Sequence, residues 1–97
     1  MIVYEVNLQI DSQVADDYAA WLKPHIEHIL QIKGFRHADW YVCDSSDDKV
    51  HWSIRYQLDS RESLKNYQQN HAPALIKEGI DKFGKYLTSN RRVMCLR

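Results

Sequence analysis

Apolar and polar residues alternate strictly at the start of the chain. Ile2, Tyr4, Val6, Leu8 and Ile10 fall on one side, and Val3, Glu5, Asn7 and Gln9 on the other. A period of two is the mark of a half-buried strand. The period changes after Asp11. Val14, Tyr18, Trp21, Leu22, Ile26, Ile29 and Leu30 recur at steps of three and four, which predicts an amphipathic helix of about five turns. Asp11 and Ser12 offer its N-cap, and Asp16 and Asp17 place anions in the early turns, where the helix dipole favours them. Pro24 removes one helical hydrogen bond, so a kink is expected near Ala20–Lys23. Gly34 is the stop signal.

Residues 35–44 are rich in aromatic and β-branched side chains and predict a second strand, followed by a polar hairpin loop at 45–48. Residues 49–58 alternate cleanly, with Val50, Trp52, Ile54, Tyr56 and Leu58 against His51, Ser53, Arg55 and Gln57. Asp59 is placed to cap a second helix, with Glu62 three residues on. Leu64, Tyr67 and His71 share its inner face. Pro73 predicts a break at His71–Ala72, after which a further helical piece carries Leu75, Ile76, Ile80 and Phe83 up to Gly84. Residues 86–96 predict a fourth strand.

The order β-α-β-β-α-β is the ferredoxin-like α+β arrangement, read as a single domain over residues 1–97. Two helices can cover only one face of a four-stranded antiparallel sheet. The apolar sides of the first and third strands must face them, and Glu5, Asn7, His51, Ser53 and Arg55 must point the other way. In the second strand, Ala38, Trp40 and Val42 are expected toward the helices, and Phe35, His37, Asp39 and Tyr41 on the open face.

With 97 residues the chain is one domain with a modest core. A chain this size buries about 60–65% of its unfolded surface, and dimerisation often makes up the deficit. Thirteen Lys and Arg balance thirteen Asp and Glu. Zero net charge excludes a generic nucleic-acid or anionic-membrane surface, because such binding draws on excess positive charge. The N-terminal stretch has no basic region and no long apolar run, so neither a signal peptide nor a membrane span is expected. A cytoplasmic protein with Cys43 and Cys95 as reduced thiols follows.

The open face raises a question, because a solvated one should be crowded with Lys and Glu. The first and third strands place only Glu5 and Arg55 there as charged groups, among amides and histidines. Such a surface suits a half-polar cavity wall or a subunit interface. Four stretches, "MIVYEVNL" (1–8), "HIEHILQIKGF" (25–35), "RYQLDSRESLKNYQQNHA" (55–72) and "FGKYLTSNRRV" (83–93), carry a resemblance. Over essentially its whole length the chain resembles a family of short bacterial proteins, the domain of unknown function DUF4286. The resemblance implies a dimeric α+β barrel, in which two ferredoxin-like protomers pack their open sheet faces together. Relatives by fold include cofactor-free antibiotic-biosynthesis monooxygenases, haem-degrading monooxygenases and small isomerases.

The expected function is binding of a small aromatic or anionic molecule in the barrel, with cofactor-independent oxidation or isomerisation as the chemistry such relatives imply. The alternative is a non-catalytic interaction dimer with a filled barrel. The expected partners are a second copy of the chain and a small molecule. No cofactor is called for.

Glu5 and Arg55 are the first candidates, either as a structural ion pair or with Arg55 orienting an anion. Arg55→Ala is expected to destabilise the dimer more than Arg92→Ala, because the alternation of the third strand sends Arg55 to the open face. His71, at the helix break, either caps backbone groups or acts as a general base near Asn7 and Arg55. His51 and Tyr41 complete the expected ligand-binding set. Arg91 and Arg92 must face opposite sides of the fourth strand. Asn7, Trp52 and His71 have the residue types that haem-degrading relatives use. Trp52 falls on the helix-facing side, however, and no axial-ligand pattern surrounds His71. His25 and His28 lie one turn apart but lack the His-Glu-x-x-His pattern of a metalloprotease, and no metal site is expected. Tyr4, Tyr18, Trp21, Trp52 and Tyr56 sit at core spacings.

Overall fold

A computed structural model describes residues 1–97. The elements run β1 (Ile2–Asp11), α1 (Ala15–Ile29), β2 (Phe35–Cys43), β3 (Lys49–Leu58), α2 (Arg61–Asn70), α3 (Ala72–Phe83) and β4 (Leu87–Cys95), with short 3-10 turns at Ser12–Val14 and Gly84–Tyr86. All strand pairs are antiparallel, in the order β2-β3-β1-β4. This is the ferredoxin-like α+β fold, with three helices where the broken second segment counts as two.

The local chemistry explains the boundaries. The Asp11 carboxylate accepts from the Gln13 backbone N–H at 3.3 Å and so caps a 3-10 turn rather than α1 itself. The helix then runs unbroken through Pro24. It ends at Ile29, and four further residues turn the chain toward Gly34. Gly34 has φ of 94°, a conformation that costs other residues steric strain. The N-cap of α2 is Ser60, not Asp59: its Oγ accepts from the Ser63 N–H at 3.2 Å. Asp59 instead accepts from the Ser63 hydroxyl at 2.8 Å, and its own N–H reaches the Gly34 carbonyl at 3.0 Å. The expected break falls at His71, whose φ of −124° ends α2 just before Pro73 enters the first turn of α3.

Fourteen buried apolar residues form one cluster between the sheet and the helices. Tyr4, Tyr56, Phe35 and Tyr67 make one aromatic group, with the Phe35 ring edge-on to Tyr67 at 5.1 Å and to Tyr56 at 5.7 Å. Tyr18, Trp21, Trp52, Trp40 and Phe83 make the other.

Phe35 corrects the reading of β2. Expected on the open face, it is buried under the helices. The pairing steps from Phe35–Leu58 to His37–Gln57, so Arg36 is an extra residue in a bulge. One inserted residue shifts the alternation, and Phe35 joins Ala38, Trp40 and Val42 on the helix side. His37, Asp39 and Tyr41 take the open face as expected. No helix is long and apolar enough to cross a membrane.

Candidate functional site

The open face is organised around Glu5. This carboxylate is 1% exposed although no helix covers it, because its strand neighbours close over it. Arg92 lies opposite Glu5 on β4, and Arg55 opposite it on β3. Arg92 donates through Nε to Oε1 at 2.6 Å and through Nη2 to Oε2 at 3.4 Å. Arg55 Nε stands 3.0 Å from Oε2, but its N–H is not aimed at that oxygen, so the contact is an ion pair without a hydrogen bond. Asn7 Nδ2 donates to Glu5 Oε1 at 2.8 Å and to Asn90 Oδ1 at 3.1 Å. The hydrogen bonds from Arg92 hold the Glu5 carboxyl below its ordinary range, against the opposing effect of burial. Arg92, not Arg55, is therefore the main partner, contrary to the expectation from alternation. The Arg55 guanidinium instead stacks over the Tyr41 ring at 4.8 Å.

Of the other expected site residues, His51 and Asn7 line one shallow pocket of about 170 Å³ on the open face, and His71 is separated from both. His51 turns to the hairpin loop, with Nε2 3.0 Å from the Asp47 carboxylate. His71 lies on the helix side of the sheet, stacked on Tyr67 with 6.4 Å between ring centroids. Its backbone N–H reaches the Tyr67 carbonyl at 2.9 Å, and its imidazole makes no cap bond. The sheet therefore stands between His71 and the pair Asn7 and Arg55, and the three do not converge. Trp52 is on the helix side as expected, packed on Tyr18 and Trp40.

A different group does converge. A cavity of about 100 Å³ lies between the sheet and the helices. Tyr4 from β1, Tyr18 from α1, Tyr56 from β3 and Tyr67 from α2 all line it. Each is 4–5% exposed, and the Tyr4 hydroxyl accepts a hydrogen bond from Arg91. Buried tyrosine hydroxyls ordinarily find a partner. Burial pushes the Tyr18 and Tyr67 phenols up to about 12 and raises Tyr4 and Tyr56 as well.

One cation faces these phenols. Arg91, opposite Val6 on β4, falls on the helix side and lines the cavity at its rim. Its charge acts on all four tyrosines, and its Nη1 donates to Ser89 Oγ at 3.1 Å. His25 lines the same cavity from α1, stacked on Trp21 at 4.6 Å. Burial lowers its pKa, and Glu78 partly offsets this. A guanidinium and four tyrosine hydroxyls around a largely apolar space can stabilise a bound anion.

Sequence reasoning treated these tyrosines as core and left the facing of Arg91 open. A signal was present, in that four of six tyrosines occupy inward positions. Nowhere does a group of three or more His, Cys, Asp or Glu gather that could hold a metal ion.

The fold is that of a ferredoxin-like α+β protein, with a cavity beneath its helices lined by tyrosines and Arg91. Within that class, the chain belongs to the family of the domain of unknown function DUF4286, whose model matches residues 1–96. Among solved structures it is similar to an antibiotic biosynthesis monooxygenase, with a TM-score of 0.76 and 12% identity over 100% of this chain and 99% of that one. It is similar to SnoaB, a cofactor-independent oxygenase from Streptomyces nogalater, with a TM-score of 0.72 and 11% identity over 99% and 93%. An ethyl tert-butyl ether degradation family protein from Bacillus halodurans matches at a TM-score of 0.65 and 21% identity, over 100% of both chains. At such identities the likeness is one of fold. No curated protein sequence matches the chain.

Proposed function

We propose that this protein binds a small planar phenol or enol, as its anion, in the cavity between sheet and helices. The observation that carries the reading is the cavity itself, where four buried tyrosines share the lining with Arg91, which already hydrogen-bonds Tyr4. The tyrosine hydroxyls donate to an oxyanion, and Arg91 supplies the counter-charge. At about 100 Å³ the space takes one ring at most, well below the roughly 300–1,000 Å³ of drug-sized ligand pockets. His25 lines the cavity wall and is the imidazole placed to exchange a proton with the ligand, with Glu78 opposing the effect of burial on it. Proton removal is the step that cofactor-independent oxygenation and enol isomerisation share. The oxygenase among the structural neighbours supports that chemistry by analogy of fold. Calorimetric titration with para-nitrophenol above its ionisation range tests the reading. A saturable signal lost in Arg91→Ala is expected, and no binding by the wild type refutes it.

The open face supports self-association through that surface. It carries Glu5 and Asp39 against Arg55 and Arg92, a balanced set, beside a half-exposed Tyr41. Two such faces meet without net repulsion. A homodimer is expected by light scattering, with Tyr41→Glu shifting it to monomer. A dimer whose cavity accepts no small probe favours the non-catalytic alternative.

A further inference from the structure

The cavity under the helices has a second space outside it. A groove of about 320 Å³ runs along the seam of α1 and α3, lined by Pro24, His28 and Glu78 among others. Trp21, His25 and Leu75 line both the groove and the cavity. The partition between them is therefore the width of those side chains, and the Trp21 indole is the largest. It is fixed from three directions, stacked on His25 at 4.6 Å and Tyr18 at 5.7 Å and edge-on to Phe83 at 5.9 Å.

The fourth direction is Gly79 on α3. A glycine in mid-helix weakens the helix, so its presence asks for a reason. Packing supplies one. A Cβ at Gly79 would stand 3.2 Å from Cη2 of Trp21, 3.7 Å from Cζ3 and 3.9 Å from Cζ2. Any side chain there would press the indole off its present seat, and His25, Tyr18 and Phe83 block the ways along the seam. The movement left is inward, into a cavity of only about 100 Å³.

We infer that Trp21 and Gly79 together set the size of molecule this cavity takes, and that the seam between α1 and α3 is its door. The inference rests on the proposed role of the cavity and adds the selection rule. With the indole in place the site admits a single ring. Without it, the inner cavity joins the outer groove, and a fused two-ring molecule fits. The chemistry recognised is unchanged, because Arg91, Tyr4, Tyr56 and Tyr67 lie on other elements and Tyr18, though on α1, is itself left in place.

The experiment compares para-nitrophenol with para-nitronaphthol, one ring against two, by calorimetry on the full chain. Wild type is expected to prefer the single ring by about tenfold or more. Trp21→Ala should tighten para-nitronaphthol by about tenfold or more, and Trp21→Leu does the same job should the alanine variant fail to fold. Gly79→Ala should weaken para-nitrophenol by about tenfold with its circular dichroism unchanged. If both kinds of variant keep the wild-type ratio of affinities, the selection rule is overturned. If wild type binds neither probe, the proposed function falls. A gain of para-nitronaphthol binding in the Trp21 variants then still supports the partition, and no gain overturns it too.

Discussion

Arg92 reaches across from β4 to the buried carboxylate of Glu5, with 2.6 Å between Nε and Oε1. Arg55 approaches the same carboxylate from the other side at 3.0 Å, without an aligned hydrogen bond. Removing the arginine that hydrogen-bonds leaves the buried charge less well held. Arg92→Ala should therefore lower the melting temperature by several degrees at neutral pH, and by more than Arg55→Ala does. Thermal melts of the two variants side by side check the order.

The same pair makes stability depend on pH. The Glu5 carboxyl is held below its ordinary 4.5 in the folded chain. A depressed acid stabilises the fold above the unfolded value, and that stabilisation drains away as pH falls below about 4.5 and through the folded-state value. Asp47 and Asp59 are also held low and contribute to acid sensitivity, so the contrast must isolate Glu5. Glu5→Gln should cost about 1–2 kcal/mol at neutral pH. Its melting temperature should converge on that of wild type as both are acidified. Parallel curves would remove Glu5 from the account.

Phe35 and Tyr41 lie on opposite faces of β2, and their truncations should differ sharply. Phe35→Ala opens a hole among Tyr56 and Tyr67 and should cost about 3–5 kcal/mol. Tyr41 is half exposed in the protomer, so Tyr41→Ala should cost far less in denaturant titrations under monomeric conditions.

Much of the fold was legible because alternation is a local signal. β1 and β3 could be assigned side by side, and with them the facing of Glu5 and Arg55. Phe35 was misplaced because a single extra residue, Arg36, resets the parity of β2, and nothing in the residue type announces a bulge. The cavity was harder still. Tyr4, Tyr18, Tyr56 and Tyr67 have the spacing of core residues, and only their coordinates reveal that they line one space with Arg91. The role of Arg91 depends on the pairing register of β4 against β1, which sequence alone does not specify.

Binding variants separate the cavity from the residues that sequence favoured. Arg91→Ala should abolish para-nitrophenol binding, while His71→Ala and Arg55→Ala should leave it within about threefold of wild type. His71 stands outside the cavity lining, and Arg55 is on the far face of the sheet. Loss of binding in either of those variants, with Arg91→Ala unaffected, would return the site to them.

Gly34 is the position least tolerant of change. A Cβ there would collide with the Ser63 side chain, on a backbone at φ of 94°. Strain and collision add, so Gly34→Ala should cost about 2 kcal/mol or more, read as a lowered denaturation midpoint.

The central position of β1 governs how the molecule is born. β1 pairs with β3 on one side and β4 on the other, and Ile2 lies opposite Cys95. On the ribosome, β1 emerges first and then waits with one edge unmatched until β4 has cleared the exit tunnel. Contacts this distant along the chain form slowly, and a waiting strand edge invites wrong pairings. The cation that lines the cavity rides on that same late strand. A nascent chain that stalls before Arg91 can gather most of its hydrophobic cluster, yet its cavity lacks the one guanidinium that lines it.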